Sequence, residues 1–173
     1  MSEQRSPFMY LPVALIVIVG GYLVWSNFVK PDVTGEIGVN FGNILLDQEI
    51  AGINGETVSF SDYLISILVI DFMAPWCAPC KTQISILSEI ESVPGVEVIT
   101  INVDDNTNMT FLEAFGEEEG ITWFFGHSPF TVLDFEVSAI PTILVVDQNG
   151  LIVHRGFLTT LNEFNNIINP LLG

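Results

Sequence analysis

Two cysteines, Cys77 and Cys80, lie three residues apart between an apolar run and a segment with helical periodicity. The run at residues 65–72 has the composition of a strand that is buried on both faces. Apolar residues then recur at helical spacing over residues 81–92. A strand that leads directly into a helix places both thiols on one face of the first helical turn. The segment therefore favours an α/β fold with a cysteine pair where the strand meets the helix.

The rest of the chain continues the alternation of strands and helices. Residues 96–103 form a second predicted strand, so the strand-helix-strand order implies a parallel pair. The pairs Thr110 with Glu113 and Thr160 with Glu163 have the spacing of capping boxes that open helices. Further strands are predicted at residues 43–50 and 57–60 (a hairpin around Asn54-Gly55), 121–125, 141–146 and 151–156. These elements predict a central mixed β-sheet flanked by helices.

The N-terminal part carries a long apolar run, because no charged residue occurs from Ser6 to Val29. Residues 8–28 would span about 30 Å as a helix, which matches the hydrocarbon layer of a bilayer. A cleaved secretory signal would need a shorter core and a cleavage site of small residues, and residues 24–27 offer none. The run therefore predicts an uncleaved N-terminal transmembrane helix.

The predicted organisation has four parts. Residues 1–7 are a short tail, 8–28 the transmembrane anchor, 29–42 a tether, and 43–173 the folded domain. The positive-inside rule has only Arg5 and the N-terminal amine to set against Lys30. It gives a slight preference for an N-terminus inside the cell.

The chain beyond the anchor is strongly acidic. Residues 31–173 contain 20 Asp and Glu residues against Lys81 and Arg155, a net charge of −18. Nucleic acids and anionic membrane surfaces are therefore poor partners. The carboxylates are dispersed, which favours hydration in a salty environment or general solubility over recognition of basic partners.

The position of each cysteine predicts its role. Cys77 is expected at the helix N-terminus, where unpaired amides and the helix dipole stabilise a thiolate, so it is the attacking thiol. Cys80, one turn further, resolves the mixed disulfide that Cys77 forms. Pro79 fits the first helical turn, where its missing N–H costs no hydrogen bond.

Two other interpretations of the cysteine pair are a static structural disulfide and half of a zinc site. His127 and His154 could nominally complete the zinc site, but their separation does not match the usual spacing of zinc ligands. No metal ion or cofactor is expected.

Residues 69–81, with Trp76 directly before the cysteine pair, resemble the active-site segment of the thioredoxin superfamily. Ala139-Ile140-Pro141-Thr142 is similar to the cis-proline loop of that family. The resemblance implies that Trp76, Pro79, Ile140 and Pro141 contact the substrate. It also identifies Asp71 as the family's buried acid, which would accept a proton from Cys80.

The resemblance is incomplete beside Asp71. Thioredoxin has a lysine on the neighbouring strand, whereas the corresponding position in this chain is Thr100.

The anchor, the N-terminal hairpin and an insertion at residues 106–137 resemble the membrane-tethered TlpA/ResA branch of the family. The branch implies a single-pass membrane protein with its domain outside the cytoplasm, which reduces disulfides of exported proteins and receives electrons from a membrane donor. One alternative is a non-catalytic, membrane-tethered binding or assembly module with a redox-sensitive cysteine pair. Another is an oxidase or isomerase of the same fold.

Overall fold

Two short strand pairs open the described chain. The computed structural model describes residues 35–173, which form one compact unit. Strand β1 (Ile37–Gly38) pairs in parallel with β2 (Ile44–Leu45), and β3 (Glu49–Ala51) pairs antiparallel with β4 (Thr57–Ser59). The hairpin predicted around Asn54-Gly55 is thus present, but it is confined to β3 and β4.

Residues 43–46 do not extend this hairpin, because they are hydrogen-bonded to residues 150–152, about a hundred positions later in the chain. The Leu45 N–H donates to the Gly150 carbonyl over 2.8 Å, and the Ile152 N–H donates to the Asn43 carbonyl over 2.9 Å. Strand β2 therefore pairs with β1 and not with the strands of the hairpin. Residues 37–38 of the predicted tether are therefore paired in a strand.

A five-stranded mixed sheet forms the centre of the fold. Its strands, in spatial order, are β7 (Phe124–His127), β6 (Val96–Asn102), β5 (Ile67–Met73), β8 (Thr142–Val146) and β9 (Ile152–Gly156). Strands β5, β6 and β7 are parallel, whereas β8 is antiparallel to β5 and to β9. The predicted mixed sheet is confirmed, with the strand that precedes the cysteines at its centre.

Helices flank this sheet. They are α1 (Ala78–Glu91), α2 (Met109–Glu119), α3 (Thr131–Asp134) and α4 (Leu161–Ile168). The predicted capping box before α4 is confirmed, because the Thr160 N–H donates to Glu163 and the Glu163 N–H donates to Thr160.

The capping box predicted at Thr110 is wrong. Helix α2 begins one residue before Thr110, and the Asn108 side chain accepts a hydrogen bond from the Phe111 N–H over 2.9 Å. Asparagine is among the best N-cap residues because its short side chain reaches this amide.

The sheet buries apolar side chains on both faces. All seven residues of β5 are buried, and successive side chains of a strand point to opposite faces. Ile67 and Val69 pack against residues of α1 and α4, while Leu68 and Ile70 pack against residues of the N-terminal strands on the other face. The odd-numbered positions of β5, which include Asp71, therefore face α1.

The two cationic side chains of residues 35–173 are both engaged within the fold. Lys81 forms an ion pair with Glu119 and lies over the Phe115 ring, 5.2 Å from its centroid. The Arg155 guanidinium donates to the carbonyls of Val39, Phe135 and Glu136. Both cations therefore hold separate segments of the chain together.

None of the helices in residues 35–173 has the length and apolar character needed to cross a bilayer. The predicted anchor at residues 8–28 lies outside the described residues.

Candidate active site

The cysteines lie where β5 gives way to α1. Cys77 is the N-cap of α1, Pro79 lies in the first helical turn, and Cys77 forms a disulfide with Cys80. The Cys77 Sγ accepts a hydrogen bond from the Cys80 N–H over 3.2 Å. In the reduced protein the same amide and the helix dipole would stabilise a Cys77 thiolate.

The two sulfur-bearing residues differ slightly in exposure. Cys77 is 4% exposed and Cys80 is 0% exposed. The predicted attacking thiol is therefore buried in the disulfide form, where its sulfur lies against the Cys80 amide in the first turn of α1. Both cysteines belong to an apolar cluster with Met73, Ile84 and Phe115.

Trp76, directly before Cys77, lies largely in solvent. It is 70% exposed, and its Nε1–H donates to Asp104 Oδ2 over 2.9 Å. Burial opposes ionisation of Asp104, but hydrogen bonds from Asn106, Thr107 and Trp76 outweigh this effect and lower the pKa of its carboxyl. Asp104 therefore anchors an exposed aromatic surface next to Cys77.

The loop before β8 has the predicted cis bond between Ile140 and Pro141. Ile140 packs against the apolar cluster that contains both cysteines, and Pro141 is buried. The ladder between β5 and β8 begins only at Thr142, so Ile140 lies outside it. The fold thus brings residues about sixty positions apart in the chain to the same site.

Asp71 is fully buried on the face of the sheet that α1 covers. Its Oδ2 accepts a hydrogen bond from Thr100 Oγ1 over 3.3 Å, and its Oδ1 has no hydrogen-bond partner. Burial raises the pKa of Asp71 to about 7, although the Thr100 hydroxyl acts in the opposite direction. Thr100 pairs directly with Asp71 in the register of β5 and β6, as the sequence comparison with thioredoxin implies.

The histidines lie far apart in the sheet. His127 is on β7 and His154 is on β9, the two edge strands. Within the part of the chain that the structure describes, no group of three or more Cys, His, Asp and Glu side chains is arranged to hold a metal ion.

Two contributing residues were missed by the sequence analysis. Asp104, which holds Trp76, is an ordinary acidic residue in a loop of an acidic chain. Trp123, which carries no recognisable motif, donates its Nε1–H to Thr100 Oγ1 over 2.9 Å. The sequence holds one signal for this bond, because the indole N–H of a tryptophan in the core needs a hydrogen-bond acceptor.

Comparisons with known proteins agree with this geometry. The thiol-disulfide oxidoreductase ResA of Bacillus subtilis is 23% identical over a gapped alignment of 181 positions, which covers 98% of this chain and 97% of the relative. A DsbE homolog of Paracoccus denitrificans, described as a thiol:disulfide interchange protein, is 24% identical over 163 residues, or 87% of this chain and 84% of the relative.

Solved structures show the same fold. The crystal structure of a putative thiol:disulfide interchange protein DsbE from Chlorobium tepidum aligns with a TM-score of 0.70 at 22% identity, covering 79% of this chain and 100% of that chain. A DsbF homologue from Corynebacterium diphtheriae aligns with a TM-score of 0.68 at 25% identity, covering 83% of this chain and 98% of that chain.

The family model described as AhpC/TSA matches residues 41–155. This segment contains Asp71, both cysteines and the cis-proline loop. The chain therefore belongs to the AhpC/TSA family and is a thioredoxin-like thiol-disulfide oxidoreductase.

Proposed function

We propose that this protein reduces disulfides of proteins outside the cytoplasm, from a position on the membrane. The observation that carries this proposal is the meeting of Ile140, next to the cis-proline, with the Cys77-Cys80 pair in one cluster. An extended client segment could pair with the Ile140 backbone and present its disulfide to Cys77. Trp76 and Pro79, both exposed beside Cys77, would contact the same client.

The reaction begins from the reduced pair. The Cys77 thiolate attacks one sulfur of the client disulfide, and the other client sulfur leaves as a thiolate. Asp71 then accepts the proton of the Cys80 thiol, and the Cys80 sulfur attacks Cys77. The bond between Cys77 and the client breaks, the second client thiol is released, and two electrons have passed to the client. The protein is left with the disulfide seen in this structure.

A low reduction potential is expected for this pair. Ala78 and Pro79 supply no positive charge between the cysteines, and Lys81 is paired with Glu119. The thiolate is therefore stabilised mainly by the helix terminus, so the reduced form gains little relative to the disulfide. Redox titration against a dithiol buffer should give a value near the roughly −270 mV of thioredoxin. A potential above about −180 mV would instead indicate an isomerase or an oxidase.

The membrane attachment rests on residues 8–28. The uncharged, mostly apolar run from Ser6 to Val29 supports a transmembrane anchor. The resemblance to the TlpA/ResA branch supports a domain outside the cytoplasm. The full chain should stay in the membrane fraction after an alkaline carbonate wash, and its domain should be cleaved by protease added outside the cell. The control carries Ile16→Arg and Val19→Arg, which place two charges in the run and should release the protein. Release of the unmodified chain by the same wash would contradict the anchor.

A further inference from the structure

A polar row crosses the buried face of the sheet beneath α1. Asp71 on β5 pairs with Thr100 on β6, and Thr100 pairs with Phe125 on β7. Asp71 and Thr100 are both 0% exposed. Trp123, two residues before Phe125, packs against the clusters on this face, one of which contains Cys80.

Three side chains of this region form a directed chain of hydrogen bonds. Trp123 Nε1–H donates to Thr100 Oγ1 over 2.9 Å, and Thr100 Oγ1–H donates to Asp71 Oδ2 over 3.3 Å. An indole nitrogen can only donate, and a threonine hydroxyl has a single proton. Because the indole occupies one side of the hydroxyl oxygen, the hydroxyl proton is directed towards the carboxyl of Asp71.

We infer that Thr100 and Trp123 are positioning residues, which hold Asp71 so that its free oxygen Oδ1 exchanges a proton with Cys80. This inference rests on the proposed function. Asp71 lies between Val69 and Met73 on the face covered by α1, and Met73 packs in the same cluster as Cys80. With Oδ2 engaged by Thr100, Oδ1 is the oxygen left to take the proton.

Within residues 35–173, Asp71 forms no ion pair. On α1, Lys81 pairs with Glu119 of α2, and the neutral Gln83 is bonded to the backbone of Thr159. On α4, Glu163 is bonded to Thr160. Beside Asp71 in the sheet, β8 contributes Ile143 and β6 contributes Thr100. On this face, the Cys77 and Cys80 thiols of the reduced protein lie in the cluster that contains Met73, two residues after Asp71.

Thr100 and Trp123 together compensate in part for the burial of the Asp71 carboxylate. Burial raises the pKa of Asp71, and the Thr100 hydroxyl lowers it because a donated hydrogen bond favours the charged form. Removal of the hydroxyl should raise the pKa further. Removal of the indole N–H should have a smaller effect in the same direction, because the hydroxyl then remains but can rotate.

The test measures the protonation of Asp71 directly in the full-length protein. Infrared difference spectra against Asp71→Asn follow the protonated carboxyl as a function of pH. In Thr100→Val the titration midpoint should rise by about one pH unit, and in Trp123→Phe it should rise by less. Thr100→Ser keeps the hydroxyl and should restore the unmodified midpoint. If Thr100→Val does not fold, Thr100→Ala provides the same comparison.

Thr131→Val is the matched control. Thr131 is also buried and also donates its hydroxyl proton, but to the Ser128 carbonyl and away from Asp71. In Thr131→Val the titration midpoint of Asp71 should not move. An unmoved midpoint in Thr100→Val, or an equal shift in Thr131→Val, would overturn the inference, and an unmoved midpoint in Trp123→Phe would remove Trp123 from it.

The reaction supplies a second measurement. Reduced protein mixed with an aromatic disulfide releases one coloured thiolate when Cys77 attacks and a second when Cys80 resolves. The pH profile of the second release should shift with the infrared midpoint, while the first release is unchanged. A shifted midpoint with an unshifted second release would overturn the role in proton transfer. Failure of the proposed function would be seen in a different measurement, the redox titration, as a reduction potential above about −180 mV.

Discussion

Replacing Cys80 with serine should convert the protein into a trap for its clients. Cys77 remains at the N-terminus of α1 and can still attack a disulfide, but no thiol is present to resolve the product. Client proteins should accumulate as covalent adducts that are released by a reducing agent. Catalytic reduction of disulfides should fall to the background rate. Non-reducing electrophoresis with mass spectrometry would identify the adducts.

Cys77→Ser is the matched control, since it removes the other thiol of the pair. Cys80 is 0% exposed and lies within α1, so it should capture few clients. Equal numbers of adducts in the two variants would reverse or abolish the assigned roles. Adducts without measurable turnover in the unmodified protein would favour a binding module over an enzyme.

Replacing Asp71 with asparagine should slow resolution by about a hundredfold and leave the initial attack unchanged. In the proposed mechanism Asp71 accepts the proton of Cys80, and a general base contributes roughly 10² to 10⁴ in rate. The amide keeps the size of the side chain but cannot take up this proton. Stopped-flow measurement of the two thiolate releases separates the steps. An unchanged second release would reduce Asp71 to a structural residue.

The same substitution should change the pH dependence of stability. The pKa of Asp71 is raised from 3.8 to about 7 in the folded protein, so folding favours the protonated form. Below about pH 4 the group is protonated in both states and costs nothing, and the cost grows as the pH rises towards 7. Above pH 7 it reaches its full value of a few kcal/mol.

The Asn variant lacks this titration, so its stability relative to the unmodified protein should increase between pH 4 and pH 8. Denaturant unfolding of both oxidised proteins at pH 4, 6 and 8 measures the difference. A difference that stays constant with pH would mean that the carboxyl titrates normally in the folded state.

The sequence predicts the centre of the fold better than its periphery. The strand before Cys77, the helix after it and the strand at residues 96–103 have strong local periodicity, and each is present within a few residues of its predicted bounds. Strand β1 is two residues long and depends on contacts with β2. Such a strand has no period of its own and could not be predicted locally.

The active site also has parts that the sequence predicts and parts that it does not. The cysteine pair and the cis-proline loop carry recognisable motifs. The bonds from Trp76 to Asp104 and from Trp123 to Thr100 instead join residues 28 and 23 positions apart. They depend on the register of neighbouring strands and on side-chain direction, so only the folded chain reveals them.

The engagement of Lys81 and Arg155 has a consequence for how this enzyme meets other molecules. With both cations of residues 35–173 bound to groups of the same chain, no free positive patch interrupts the negative field of this region. Two copies that approach each other are repelled over distances of about one Debye length, roughly 8–10 Å in moderate salt. Covalent linkage of one copy to another through Cys77 is therefore disfavoured before any contact is made. Added salt should weaken this repulsion, so covalent dimers linked through Cys77 should become more frequent as the ionic strength rises.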